Sequence, residues 1–72
     1  MDRLAQLQAF CRVVEQGSFT AAARSLGVKQ STISKWVTAL EAQHKTALVH
    51  RNTRSLTVTN AGQHLYQNAQ AL

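Results

Sequence analysis

Two glycines, Gly17 and Gly27, constrain this chain more than any other feature, because they cut its first half into three separately periodic segments. From Asp2 to Gln16 the apolar residues Leu4, Leu7, Phe10, Cys11, Val13 and Val14 recur at spacings of three and four, which predicts a helix with one buried face. Gly17 supplies the left-handed position that closes it. Ser18 or Thr20 offers a hydroxyl to cap the next helix. That helix is short, Phe19 to Leu26, and Ala21, Ala22 and Ala23 leave room for a neighbour to approach closely. Gly27 ends it, and only Gly27-Val28-Lys29-Gln30 separates it from the third segment, which runs from about Ser31 to Gln43.

In the third segment Ile33, Val37 and Leu40 share one face, while Ser31, Lys35, Thr38 and Ala42 point the opposite way. Ser34 and Glu41 fall on one flank, and Thr32, Trp36 and Ala39 on the other. The outward face is polar, basic and free of carboxylates. Helical period is then lost. Leu48-Val49-His50-Arg51 and Ser55-Leu56-Thr57-Val58 read as two short strands joined through Asn52-Thr53-Arg54, a hairpin whose loop lacks glycine. Thr59 caps a last helix, Asn60 to Leu72, with Ala61, Leu65, Ala69 and Leu72 on one face. The expected fold is mainly α: a winged helix-turn-helix over residues 1–58, a three-helix bundle plus a β-hairpin wing, followed at 59–72 by the start of a linker or dimerisation helix.

Charge locates the working surface. The chain of 72 residues carries eight Lys and Arg against three Asp and Glu, a formal net charge of +5. Asp2, Arg3, Arg12 and Glu15 cancel, and nothing after Arg54 is charged. The excess therefore belongs to Arg24, Lys29, Lys35, Lys45, Arg51 and Arg54, opposed only by Glu41. A basic centre between neutral flanks is the electrostatic footprint expected for nucleic acid; a solubilising surface is the bland alternative.

Other classes are poorly supplied. Three acids, with no Ser/His/Asp set and no paired carboxylates, leave little for acid–base catalysis, so an enzyme is not expected. A single cysteine allows no intrachain disulfide and fits a reducing cytoplasm. Three scattered histidines give no zinc-ligand spacing, and no metal or cofactor is expected. There is no signal-peptide pattern, and no apolar run approaches the roughly 18 residues of a membrane span. The rivals to specific DNA binding are a winged helix used for protein–protein contact and a non-specific nucleic-acid binder. The first would keep acids or large apolar groups on the outer face of the third helix. The second would place stacking aromatics on the basic face, where only Trp36 is near.

A helix of this size fits the major groove, about 12 Å wide, with its N-terminal residues at base edges and its positive dipole end towards phosphates. A hairpin with Arg at its tip reaches a neighbouring phosphate or the minor groove.

The string Val14-Glu15-Gln16-Gly17-Ser18-Phe19-Thr20-Ala21-Ala22-Ala23-Arg24-Ser25-Leu26-Gly27-Val28 resembles the N-terminal winged helix-turn-helix of LysR-type transcriptional regulators. Gln30, Ser34, Leu40-Glu41, Arg51, Thr53-Arg54 and Thr59-Asn60-Ala61-Gly62 continue the resemblance over nearly the whole chain. It implies a bacterial, cytoplasmic and nucleoid-associated domain that binds double-stranded operator DNA. It implies a homodimer through the last helix, at Ala61, Leu65, Ala69 and Leu72, and a small-molecule effector bound by a domain this chain lacks. The chain is then expected to be the reading head of a longer regulator. The DNA-binding positions it implies are Lys29, Gln30, Ser31, Thr32, Ser34 and Lys35 around the third helix, with Arg51, Thr53 and Arg54 in the wing. Gln30 is suited to adenine through its amide. Lys35 stands where arginine is commoner and lacks the fork that grips guanine twice. Arg51 is as easily structural as phosphate-binding.

The chain departs from the family pattern at three places. Lys29 replaces the usual Ser or Thr cap, a loss of roughly 0.5–2 kcal/mol. His44-Lys45 replaces Leu-Gly, so Lys45 is expected in the left-handed region at a cost of about 1–2 kcal/mol, with His44 in line with the core face and its polar edge turned to solvent. Val49 replaces a common Phe. Trp36 is expected to pack against the hairpin, Phe19 to staple its helix entry, and Phe10, Tyr66 and Cys11 to lie in the core.

Overall fold

The computed structural model describes residues 3–51 and 56–71. In chain order it contains α1 (Arg3–Gln16), α2 (Phe19–Leu26), α3 (Gln30–His44), β1 (Val49–Arg51), β2 (Leu56–Val58) and α4 (Asn60–Gln70). The strands pair antiparallel, with Val49 opposite Val58, His50 opposite Thr57 and Arg51 opposite Leu56. This is the winged helix-turn-helix expected. The hairpin's connecting residues, with Thr53 and Arg54, lie outside the described residues, as does Leu72.

Both glycines act as read. Gly17 and Gly27 have φ of 68° and 69°, and the Gly27 N–H closes α2 on the Ala23 and Arg24 carbonyls. Ser18, rather than Thr20, caps α2: its Oγ accepts from the Ala21 N–H at 3.1 Å. The core draws on the first three helices and the start of the wing: Phe10 and Val13 from α1, Phe19, Ala22 and Ala23 from α2, Ile33, Val37 and Leu40 from α3, then Leu48 and Val49. Three alanines in a row give α2 a thin inner face, which lets α1 and α3 meet the short helix and each other closely.

The third helix begins one residue earlier and ends one residue later than its pattern suggests. Lys29 is its N-cap residue and makes no side-chain capping bond. At the other end Lys45 takes φ 54° and ψ 36°, the left-handed geometry expected where glycine is missing. His44, in line with the core face by angle, turns to solvent. It is exposed, because the inward line of α3 ends at Leu40 and the chain turns away at Lys45 before another element can cover it. Tyr66 is also not a core residue: it is half-buried, and its hydroxyl donates to Glu15 Oε2 at 3.0 Å. Cys11 is half-buried, and burial pushes its thiol pKa up. Trp36 packs, partly buried, against the core, and its indole N–H has no acceptor among the described residues.

Thr59 joins the wing to α4. Its Oγ1 accepts from the Gly62 N–H at 3.0 Å and donates to the Ala47 carbonyl at 2.8 Å. Its own N–H donates to the Leu48 carbonyl at 3.1 Å. Directly beneath, Gly62 lies so close to that same Leu48 carbonyl that a Cβ there would overlap it.

Candidate DNA-reading surface

The helix-turn-helix forms because α2 and α3 each have one inner face and share the turn at Gly27. Burial of Ile33, Val37 and Leu40 fixes the rotation of α3. That rotation leaves Gln30, Ser31, Lys35 and Thr38 exposed along one side, with Lys29 just ahead of them. Thr32 and Ser34 are half-buried on the flanks. All six positions expected at or near the recognition helix are thus brought to one surface, and it carries no acid.

Two polar contacts fix parts of this surface. The Thr20 hydroxyl donates to Gln30 Oε1 at 3.2 Å, joining α2 to the first turn of α3. Arg51, at the end of β1, donates from Nη1 to Ser34 Oγ at 2.7 Å. The Arg51 guanidinium carbon also sits 4.3 Å from the centroid of the Phe19 ring, within the range of a favourable cation–π contact. Thr20 and Phe19 were not expected to touch reading residues. Nothing local in the sequence marks them, because both contacts join residues brought together only by the fold.

Glu41 is the one acid between Arg24 and Arg54, and its place explains why it does not spoil the basic face. Its Oε2 accepts the backbone N–H groups of Leu48 and Val49, at 2.8 and 3.3 Å. The carboxylate is turned away from the outward side of α3 and anchors the entry to β1. A second polar tie, Gln43 Nε2 donating to Gln6 Oε1 at 2.8 Å, bridges α3 to α1 beside the core. Gln6 is only 5% exposed, so this bond satisfies a polar group that burial would otherwise penalise.

The expected dimer stripe is divided. Ala61 and Leu65 are partly buried against the domain's own core. Ala69 instead lines an open groove of about 400 Å³ with Leu4, Leu7, Gln8, Cys11, Arg12, Glu15 and Leu26. Leu4 is 58% exposed on its rim. Among the described residues no group of three His, Cys, Asp or Glu could hold a metal ion, and no helix is long and apolar enough to cross a membrane.

A winged helix-turn-helix whose third helix shows a basic, acid-free side is the architecture of a DNA-binding regulator domain rather than an enzyme. Residues 4–63 match the family model described as bacterial regulatory helix-turn-helix protein, lysR family, and the chain belongs to that family. The chain is 50% identical over 68 residues to a probable hydrogen peroxide-inducible genes activator of Mycobacterium leprae, covering 94% of this chain and 22% of the relative. It is 44% identical over all 72 residues to the HTH-type transcriptional activator AaeR of Escherichia coli, of which it spans 23%. Among solved structures, it resembles the DNA-binding domain of CbnR in complex with DNA, with a TM-score of 0.91 and 35% identity, covering 99% of this chain and 80% of that one. The DNA-binding domain of BenM on catB site 1 DNA gives a TM-score of 0.90 at 35% identity, covering 99% and 78%.

Proposed function

We propose that this chain reads operator DNA in a bacterial transcriptional regulator by laying the N-terminal half of α3 in the major groove. Lys29, Gln30, Ser31, Thr32, Ser34 and Lys35 would face the DNA, with Thr53 and Arg54 of the wing towards the backbone or minor groove and Arg51 at the base of the wing, beside Ser34. The observation that carries this reading is the acid-free side of α3 at Gln30, Ser31, Lys35 and Thr38. Its likeness to domains solved on DNA supports it.

The residues divide by chemistry. Gln30 supplies an amide to a base edge, its oxygen already accepting from Thr20. Lys29 and Lys35 are point charges suited to phosphate. The uncapped start of α3 leaves its positive end open to a phosphate oxygen. Such an anion would complete the end that Lys29 leaves without a side-chain cap.

The segment 59–72 would begin a linker helix, and a second copy of the chain would pair on the groove between α1 and α4. Leu4, Leu7 and Ala69 give that groove its apolar lining. Two copies would then occupy a pseudo-palindromic site on bacterial chromosomal DNA. A small-molecule effector would act through a part of the regulator outside this chain, which spans 22–23% of the two relatives' length.

Selection of duplexes from a random pool tests the reading. Enrichment of one half-site, repeated at a fixed spacing, is the expected result. Equal binding of every duplex at fixed salt would leave only non-specific association. Sedimentation of the chain with the selected duplex checks whether two copies bind.

A further inference from the structure

Arg51 is held on two sides. Its Nη1 donates to Ser34 Oγ at 2.7 Å, and its guanidinium carbon lies 4.3 Å from the centre of the Phe19 ring. A bond this short from a charged donor is among the stronger kinds available to side chains. It joins the wing to the recognition helix, while the ring belongs to α2, so one guanidinium of the wing ties it to both helices.

The consequence for Ser34 is chemical. A serine hydroxyl has one O–H to give and two lone pairs to accept with. With the Arg51 N–H on the oxygen, a second donor approaching from DNA meets a cation already in place. The hydroxyl proton remains to be given.

We infer that Arg51 is a positioning residue for DNA reading, which holds the Ser34 hydroxyl as a hydrogen-bond donor towards an acceptor on DNA and sets the wing against α3. The inference rests on Ser34 facing DNA, as proposed above. The acceptors in the major groove are guanine O6 and N7, adenine N7 and thymine O4, whereas the cytosine amine is a donor and is disfavoured. Arg51 itself then makes no phosphate contact, and its charge serves geometry.

The two roles differ in salt dependence. A phosphate contact contributes about one to the slope of log affinity against log salt, and its loss weakens all sequences alike. A positioning residue changes the base preference and leaves that slope in place. The test uses the best duplex that the unsubstituted chain selects from a random pool, together with that duplex altered at each base pair in turn. For Arg51→Met, which keeps an aliphatic stem over Phe19, we expect discrimination to fall about tenfold at one base pair, with the salt slope unchanged. Ser34→Ala should flatten the same base pair, and the double variant should be no worse than either single one. Arg51→Lys, which restores a charged donor, should recover the preference and is the variant to compare if Arg51→Met fails to fold.

A uniform loss with a slope reduced by about one in Arg51→Met would make Arg51 a phosphate contact and overturn the inference. Additive effects of Arg51→Met and Ser34→Ala would do the same, as would an Arg51→Lys variant that folds and stays flat at that base pair. Failure of Ser34→Ala to alter any base preference would instead show that Ser34 does not face a base, and the underlying placement of Ser34 would fall with it.

Discussion

The carboxylate of Glu41 accepts the backbone N–H of Leu48 at 2.8 Å, so a side chain on the recognition helix fixes where the wing begins. The same oxygen also accepts from Val49 at 3.3 Å. Hydrogen bonds to a charged group contribute about 1.5–3 kcal/mol, and leaving the partner N–H groups unpaired adds to the loss. Glu41→Ala should lower unfolding stability by about 2 kcal/mol in urea titration. Glu41→Gln, which keeps one acceptor oxygen, should lose less. Equal stability of all three chains would remove the anchoring role.

Gly62→Ala sets two effects against each other. Alanine is favoured over glycine inside a helix by about 0.8–1 kcal/mol. Here the added Cβ would overlap the Leu48 carbonyl oxygen and crowd Val58 Cγ1. Backbone oxygen tied to Thr59 cannot swing aside, and overpacking of this kind costs about 1–3 kcal/mol. Net destabilisation is expected, read as a lower thermal midpoint. A higher midpoint would mean that α4 shifts freely on the wing.

Lys45 sits at φ 54°, a position that glycine adopts without steric cost. Lys45→Gly should stabilise the fold by about 1 kcal/mol, which for a domain of this size raises the thermal midpoint by about 4–8 °C. A falling midpoint would show that the lysine side chain contributes more than its backbone geometry costs.

Gln30→Ala should relax base preference at one position of the site by about 1–3 kcal/mol, the range for a good bidentate contact. Thr20→Val should alter preference at that same position, because it frees the oxygen that Thr20 now occupies. Competition binding with single-base-pair variants of a selected duplex reads both effects. Changes at two different positions would show that the pair acts separately.

Tyr66 gives a pH test. Its hydrogen bond to the Glu15 carboxylate raises the phenol pKa above the usual 10.0. The neutral phenol donates, so this contribution is fully present below about pH 10, and it is lost as pH rises through the higher folded value. Cys11, raised from 9.0 chiefly by burial, shifts stability in the same direction. Comparison with Tyr66→Phe therefore isolates the phenol. The stability advantage of the unsubstituted chain over Tyr66→Phe should hold up to about pH 10 and shrink as pH rises beyond it. A difference that stays constant through that rise would exclude the link.

Local pattern made much of the fold legible. Periodicity placed α1 and α2, and Gly17 and Gly27 marked their ends, while the resemblance to the family, in which glycine is usual at position 45, implied a left-handed residue at Lys45. The side chains whose placement depends on a distant partner were not legible. Tyr66 looks like core by type, yet its hydroxyl meets Glu15 across the α1–α4 contact. The ties from Glu41 to Leu48, Thr20 to Gln30 and Arg51 to Ser34 join elements whose approach is set by tertiary packing. No spacing rule encodes them. For the reading surface, the sequence pattern named the side of α3 but not the contacts that Thr20 and Arg51 make to it.

The division of labour around α3 bears on how such a domain changes over generations. Ile33, Val37 and Leu40 hold the helix in the core, while Ser31, Lys35 and Thr38 stay in solvent. On the reading proposed above, changes at those outward positions would rewrite target choice without refolding the helix. Gln30 and Ser34 are different, since each is tethered to a residue on another element. A new identity at either one should arrive together with a change at Thr20 or Arg51, so inheritance at these four positions is expected to run in pairs.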